Sequence, residues 1–399
     1  MVGGPDAGLA DLETDMDFEL NQDQEELRDS ARTFLAESCP PAVVRRSFEA
    51  GPGELDPRSS GLWQEMVRLD WPALTIPESF GGMGLGFVEL TLVVEEAGRA
   101  LAPSPFVATL TQFAPMVREA GASDQAGELL QTVAEGGSTG TLAVAEPSGR
   151  WEPESVTAIA RPAGRGWLLA GRKSFVFDGT TADEIAVVAR GEGTTGSDGL
   201  GVFVLSGPAV PARALRVADP TQPLAELDLD GLEVPRERVL IEPGDPRASR
   251  AIGRALQEAT TAMAASSTGT CGAIFDTTLQ YAKDREQYGR PIGSFQALKH
   301  RLVDMYLALE RSRSLVYFAA LTISEDDERR AMAASMAKAA AGECQRLIVK
   351  EGLQMHGGIG FTWEHDLHLY LKRAKSSDFL FGSSLAHRAS VARLLGLAA

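Results

Sequence analysis

The sequence predicts an α+β multi-domain fold: a helical section, then a β-rich section forming a sandwich or barrel, then a second helical section. Length is the first ground, since 399 residues exceed what one hydrophobic core usually serves, and two or three domains are expected. The second is a change of texture near Thr141, where short strand-like runs begin to alternate with turns containing Gly and Pro. The third is the end of that texture near Pro246, after which almost everything to Leu397 is rich in Ala and Leu with helical periodicity. Residues 1–15 are therefore expected to form a loose tail, 16–140 an N-terminal helical domain, 141–247 a middle β domain and 248–399 a C-terminal helical bundle.

Each element has its own signal. Structure is expected to begin near Met16, with Asn21 as an N-cap and Leu27, Ala31, Phe34 and Leu35 as the apolar stripe of a first helix. Leu62, Met66 and Leu69 mark a second. The run GGMGLG has spacings like a dinucleotide loop, but no strand signal precedes it. Its glycines are read as a turn before a helix from Phe87 to Leu101. The strand signals are TLAVAE, SVTAIARPA, GWLLAGRKSFVF, EIAVVAR, LGVFVLS and LAELDLDGLEV. In the C-terminal section one helix ends at Arg285, and a connector with Gly289, Pro291 and Gly293 leads into another. There Leu298, Leu302, Met305 and Leu309 recur on one face.

Composition narrows the function classes. Hydrophobic residues make up 44% and charged residues 23%, ordinary for a globular protein. The net charge of −17 argues against nucleic acid or an anionic membrane as the main partner, because both need a basic face. Cys39, Cys271 and Cys344 lie far apart, with no CxxC pair, so neither a disulfide framework nor a zinc site is expected, and a cytoplasmic setting fits. No apolar run approaches the ~18 residues that span a bilayer. The acidic, Gly/Ala-rich start lacks the regions of a signal peptide. Glu364, His365, Asp366 and His368 crowd one short stretch without any metal-ligand spacing, and no metal is expected there.

A guanidinium followed by a glycine-bearing turn suits a phosphate or pyrophosphate. The stretch from Arg285 to Asp304 reads R-x-Q-Y-G-x-P-I-G-x-F-Q-x-x-x-H-x-x-x-D, and this resembles the signature of the acyl-CoA dehydrogenase family. Gln354, Gly357, Gly358 and Gly360 form a second motif, similar to the family's loop against the adenosine end of FAD. Glycines there let backbone approach a bulky ligand. The order PE-x-x-GG-x-G followed by EE-x-G-R also resembles the family's N-terminal domain.

The resemblance covers nearly the whole chain and implies an N-terminal helical domain, a middle β domain and a C-terminal four-helix bundle that normally builds a tetramer. It implies FAD as cofactor, with Arg285 on the pyrophosphate. Gln287, Tyr288, Phe295, Gln296 and Leu298 would line the adenosine half, with Gln354, Gly357 and Gly358 completing it, all serving a neighbouring subunit.

The segments that would hold a flavin ring depart from the family. Ala145 stands where the family has a Thr, in the segment Leu142 to Pro147, and Ser148, Gly149, Arg150 and Trp151 replace its Ala-Gly-Ser-Asp. In the next contact segment, Lys173 to Gly179, Phe177 replaces a hydroxyl, and a phenyl ring cannot donate. Dehydrogenation needs a base at the α-carbon. The family's usual Glu position holds Phe381, ahead of Gly382, and its alternative position holds Ala259, with Ser383 and Leu385 departing further on. Glu258 adjoins the second place, but one residue turns a helix by about 100°.

The groups for a neighbour's FAD are kept while those for a ring and base in this chain are substituted. The reading is one subunit of an α2β2 heterotetrameric acyl-CoA dehydrogenase with a homologous catalytic partner. Such enzymes occur in the family among actinobacterial proteins that shorten steroid side chains as CoA thioesters, and the expected electron acceptor is an electron-transfer flavoprotein. Two other classes stay open: a self-sufficient homotetramer using Glu258 or Asp378 as base, and a non-enzymatic scaffold relative.

Overall fold

The computed structural model describes residues 19–397 apart from 52, 55, 57, 59, 60 and 122, so the expected tail and the expected start near Met16 lie outside the described residues. Helix α1 (Gln22–Ser38) opens with a reciprocal capping box. Asn21 accepts from the Gln24 N–H, and the Gln24 side chain accepts from the Asn21 N–H. Helices α2 (Pro41–Glu49) and α3 (Leu62–Arg68) follow. Leu62 and Met66 are buried as their spacing predicts, whereas Leu69 falls past the last turn of α3 and is 47% exposed. A short 3-10 turn, Glu78–Phe80, precedes the GGMGLG loop, not a strand, and the loop feeds α4 (Phe87–Arg99). Helix α5 (Phe106–Ala108), a π-turn over Thr109–Phe113, α6 (Ala114–Glu119) and α7 (Asp124–Ala134) complete this section.

The β section is a sandwich. One sheet has the order β10-β6-β5-β2-β3-β9, with β1 also beside β5, and the other runs β4-β8-β7. The strands are β1 (Gly140–Ala143), β2 (Ile159–Ala163), β3 (Gly166–Ala170), β4 (Arg172–Phe177) and β5 (Glu184–Gly191). They continue with β6 (Leu200–Ser206), β7 (Ala212–Ala214), β8 (Leu224–Asp228), β9 (Leu232–Pro235) and β10 (Val239–Ile241). The strand signals did not include β7 and β10, each only three residues long. Strand β5 is apolar on both faces for a physical reason. Ile185, Val187 and Ala189 face the core between the sheets, while Ala186 and Val188 join the helical core behind.

The C-terminal section holds α8 (Ala248–Asp284), the hairpin β11 (Glu286–Gln287) and β12 (Arg290–Pro291), and α9 (Gln296–Ser324). After these come α10 (Arg330–His356), α11 (Leu367–Ser377) and α12 (Ser384–Leu394). Helices α4 and α8 cross at two glycines. A Cβ on Gly98 would lie 2.1 Å from the Ser266 carbonyl oxygen, and one on Gly269 only 1.8 Å from that of Glu95. Thr270 Oγ1 donates to the Gly98 carbonyl at 2.9 Å across the same crossing. That approach merges the first and last sections into one core, which runs from Ala31 through Val188 to Leu369. A second cluster, around Ile274, Met305 and Ile348, lies within the C-terminal section alone. Among the described residues no helix is long and apolar enough to cross a membrane.

Candidate functional site

The two sequence motifs meet at one end of the bundle. Arg285 caps α8, and the two residues after Gln287 make a tight hairpin turn, with Tyr288 at φ 54° and Gly289 at φ 75°. Two left-handed residues in a two-residue loop are what a type I′ turn requires, which is why a Gly follows the Tyr. Sequence periodicity gave a connector here and missed the hairpin. The turn leaves Tyr288 94% exposed, with its ring 6.2 Å from Phe295, while the Arg290 guanidinium lies 4.3 Å over the Phe295 ring.

Tyr281, one turn before Arg285, stacks on His356 at 4.4 Å, so the last turns of α8 and α10 lie side by side. Ala282, Leu298, Leu302 and Met355 share the small core beneath. Gln354, Gly357 and Gly358 are thereby set beside the hairpin, and Gln287, Gln296 and Gln354 are exposed. No described residue pairs with the Arg285 guanidinium. A Cβ on Gly357 or Gly358 would meet nothing within 4 Å, whereas one on Gly360 would press His356, Leu353 and Leu367. The first two leave room for a ligand, and the third is packing. An exposed guanidinium, free backbone beside two glycines and aromatic side chains fit the ADP half of a dinucleotide.

The other end of α8 is different in kind. A cavity of about 560 Å³ lies between the β1–β2 loop, the first turns of α8 and α10, and the turn joining α11 to α12. Phe177 and Phe381, 3% and 4% exposed, stack with centroids 5.8 Å apart, and Trp151 packs on Phe381 at 4.4 Å. Ala145 and Ala259 are buried, and neither has a polar side-chain atom. Glu146, next to Ala145, is spent structurally. Burial would raise its pKa, but the Lys173 ammonium at 2.9 Å, the Thr157 hydroxyl and the Ala158 N–H hold it below the usual carboxylate range. Phe177, Phe381, Ala145 and Ala259 offer a flavin ring no side-chain hydrogen bond, so these four positions do not fit one.

Neither carboxylate weighed as a base lines this cavity. Glu258 is 2% exposed and turned away, bonded by Arg118 of α6 and lying 3.5 Å from Arg330 of α10. Asp378 faces α10, with Arg346 at 3.8 Å. The acidic and histidine stretch after Phe361 is taken up in local contacts. Asp366 pairs with Arg45 at 2.6 Å, the Leu367 N–H donates to His365 Nδ1 at 3.1 Å, and His368 bonds the Trp363 carbonyl. Among the described residues no group of three potential ligands gathers for a metal.

Two residues at the α11–α12 turn escaped sequence reading. Lys338, buried on α10, donates to the carbonyls of Ser377 and Asp378 at 3.1 Å, capping α11. His387 on α12 bonds the Phe381 carbonyl at 2.8 Å. Both contacts join residues close only in the fold, so no spacing signalled them.

The ends of α8 are far apart. Thr260, on the cavity, and Arg285 are separated by twenty-five residues of helix, roughly 37 Å at 1.5 Å per residue. No single dinucleotide reaches from one to the other.

Residues 21–137 match the profile "Acyl-CoA dehydrogenase, N-terminal domain", and residues 249–396 match "Acyl-CoA dehydrogenase, C-terminal domain". The acyl-CoA dehydrogenase IpdE2 of Mycolicibacterium smegmatis is 32% identical, over 91% of this chain and 96% of its own length. A chain of the ChsE4–ChsE5 complex from Mycobacterium tuberculosis superposes with a TM-score of 0.84 at 25% identity, covering 96% of this chain and 100% of that one. A chain of the Tcur3481–Tcur3483 steroid ACAD does so with a TM-score of 0.81 at 28% identity, covering 94% and 98%.

Proposed function

Because the chain belongs to the acyl-CoA dehydrogenase family, whose cofactor is FAD, we propose that it is the non-catalytic half of a heteromeric acyl-CoA dehydrogenase. On this reading it supplies the ADP half of each FAD site to a homologous catalytic subunit in an α2β2 assembly, working in the cytoplasm on a CoA thioester of a steroid side chain. FAD, when bound, takes up the hydride that leaves the acyl β-carbon. Arg285 holds the pyrophosphate by charge-assisted hydrogen bonds, and Gln287, Tyr288, Phe295, Gln296, Leu298, Gln354, Gly357 and Gly358 form the adenosine cradle. The α-proton is removed by a carboxylate of the partner, and an electron-transfer flavoprotein takes the electrons onward.

One observation carries the reading: the ADP-type cluster and this chain's own cavity sit at opposite ends of α8, roughly 37 Å apart. The cluster must therefore serve another chain's flavin, while the cavity at home is walled by Trp151, Phe175 and Phe381, with Phe177 stacked on Phe381, and lacks a carboxylate suited to act as base. Arg150 and Glu152 at its edge answer each other. The two-chain and steroid names of the structural neighbours support the heteromer and its substrate class. A self-sufficient homotetramer would need Glu258 or Asp378 to swing out of its contact with arginine.

The test is a visible spectrum. The chain purified alone is expected to be colourless, and to gain flavin absorbance only when produced with its partner. A lone chain that is yellow and oxidises an acyl-CoA would sink the heteromer reading.

A further inference from the structure

We propose that a cavity sharing no residue with the two sites above binds a small organic carboxylate. It lies where the end of α2 meets the connection from β7 to β8 and Lys372 of α11, and it holds about 250 Å³. That suits a compact ligand, not a dinucleotide or a CoA thioester. Its described lining carries two charges, and both are positive: Arg216 and Lys372. Apart from these, Ser47 and Phe48, every described lining residue is Gly, Ala, Val, Leu or Pro.

Both charges are unanswered within the described residues. In a chain with 55 acidic and 38 basic residues, a cation has carboxylates in excess to meet. Arg216 is exposed, yet no described carboxylate pairs with its guanidinium. Lys372 is half-buried and its contacts are aromatic, the ammonium lying 5.0 Å from the Phe48 ring and 5.2 Å from that of Trp363. Ring faces attract the charge without neutralising it. Phe48 is a wall of the cavity, so the ammonium is held at that wall. Ser47, 6% exposed, lines the same space, and no described residue bonds its hydroxyl. The carboxylates next to lining residues in the chain do not fill the role. Glu49 is exposed and outside the lining, Glu54 accepts from the Gly51 N–H at 2.8 Å, and Asp219 is held by Arg373 and Thr221.

Two cations and a hydroxyl on one cavity call for an anion, and a guanidinium offers paired donors that match a carboxylate. The apolar remainder selects among anions. A phosphate or sulfate ion presents oxygen on every side and would set it against Phe48, Leu215 and Leu224. A carboxylate on a short apolar body turns its charge to Arg216 and Lys372 and its carbon to those walls.

The experiment titrates the full-length chain with hexanoate and, separately, with hexanamide, its uncharged counterpart, by isothermal calorimetry. Saturable hexanoate binding is expected at a Kd of about 1 mM or tighter, at least about tenfold tighter than that of hexanamide. Added salt should weaken hexanoate and leave hexanamide unchanged. Arg216→Gln, a change at an exposed position that leaves the fold intact, should weaken hexanoate by about tenfold, as should Lys372→Met, while Lys372→Arg should retain it. A carboxylate lodged between α8, α10 and α12 instead would be indifferent to all three changes. Equal affinity for the two probes, the absence of saturable hexanoate binding, or binding that Arg216→Gln leaves at the wild-type value overturns the proposal.

Discussion

Burial drives the Asp178 carboxyl from its ordinary value of 3.8 up to about 8, with the negative charge of Asp56 adding to the shift. Its folded pKa lies above the unfolded one, so its contribution to stability is fully present below 3.8 and is lost as pH rises toward 8. Asp178→Asn is therefore expected to raise stability at neutral pH by on the order of 1–3 kcal/mol, with the gain shrinking toward pH 4. Chemical denaturation of the two proteins across that range checks it, and a gain independent of pH would refute the assignment. Arg285 makes a different kind of residue-scale claim. Nothing among the described residues holds its guanidinium, so Arg285→Ala should leave the fold unchanged while weakening FAD retention in the assembled enzyme by roughly 1.5–3 kcal/mol. Flavin occupancy equal to wild type after dilution would contradict it.

The turn from α11 to α12 is the element on which the cavity depends. Phe381 sits at φ 58° and Gly382 at φ 99°, a left-handed pair that a non-glycine residue enters only when its surroundings force it. Lys338 on one side and His387 on the other tie the turn's carbonyls in place. Burial, reinforced by the nearby Lys338 charge, lowers the His387 pKa from 6.5 to about 4. A folded pKa below the unfolded one gives stability that is present above 6.5 and is lost as pH falls toward 4. His387→Gln keeps a donor for Phe381 but cannot titrate, so its stability should fall less steeply than wild type over that window. Parallel pH profiles for the two proteins would show that His387 is not the titrating group.

At the scale of the molecule, Glu258 binds three parts together: its own α8, Arg118 of α6 and Arg330 of α10. Breaking a buried ion pair from one side leaves charge uncompensated. Glu258→Gln should lower the melting temperature of the assembled enzyme yet keep turnover per folded complex within about twofold, whereas loss of a true base costs orders of magnitude. A drop beyond about a hundredfold would move the catalytic base into this chain. The same coupling explains why one core spans the first and last helical sections. Glycines at positions 98 and 269 let α4 and α8 touch backbone to backbone, and the outer face of β5 and β6 closes against the helices.

Some of this was written in the sequence alone. Capping at Asn21, the stripe from Leu298 to Leu309 and the long strand signals are local features, legible from propensity and spacing, and they gave the helical, β, helical order, while the two glycine-bearing motifs carried the family resemblance. Other features were not local and so were not legible. The short strands β7 and β10 and the hairpin after Arg285 carry too few residues for a periodic signal, and Leu69 lost its place in the stripe because α3 stops one residue earlier. Substitution at Phe177 and Phe381 could be counted in the sequence, but that the two rings stack, and that Trp151 joins them, depends on bringing together residues hundreds of positions apart. Whether Glu258 faced the cavity or the arginines also depended on packing, because α8 is buried nearly all round there and its neighbours, not its periodicity, choose which side meets each charge.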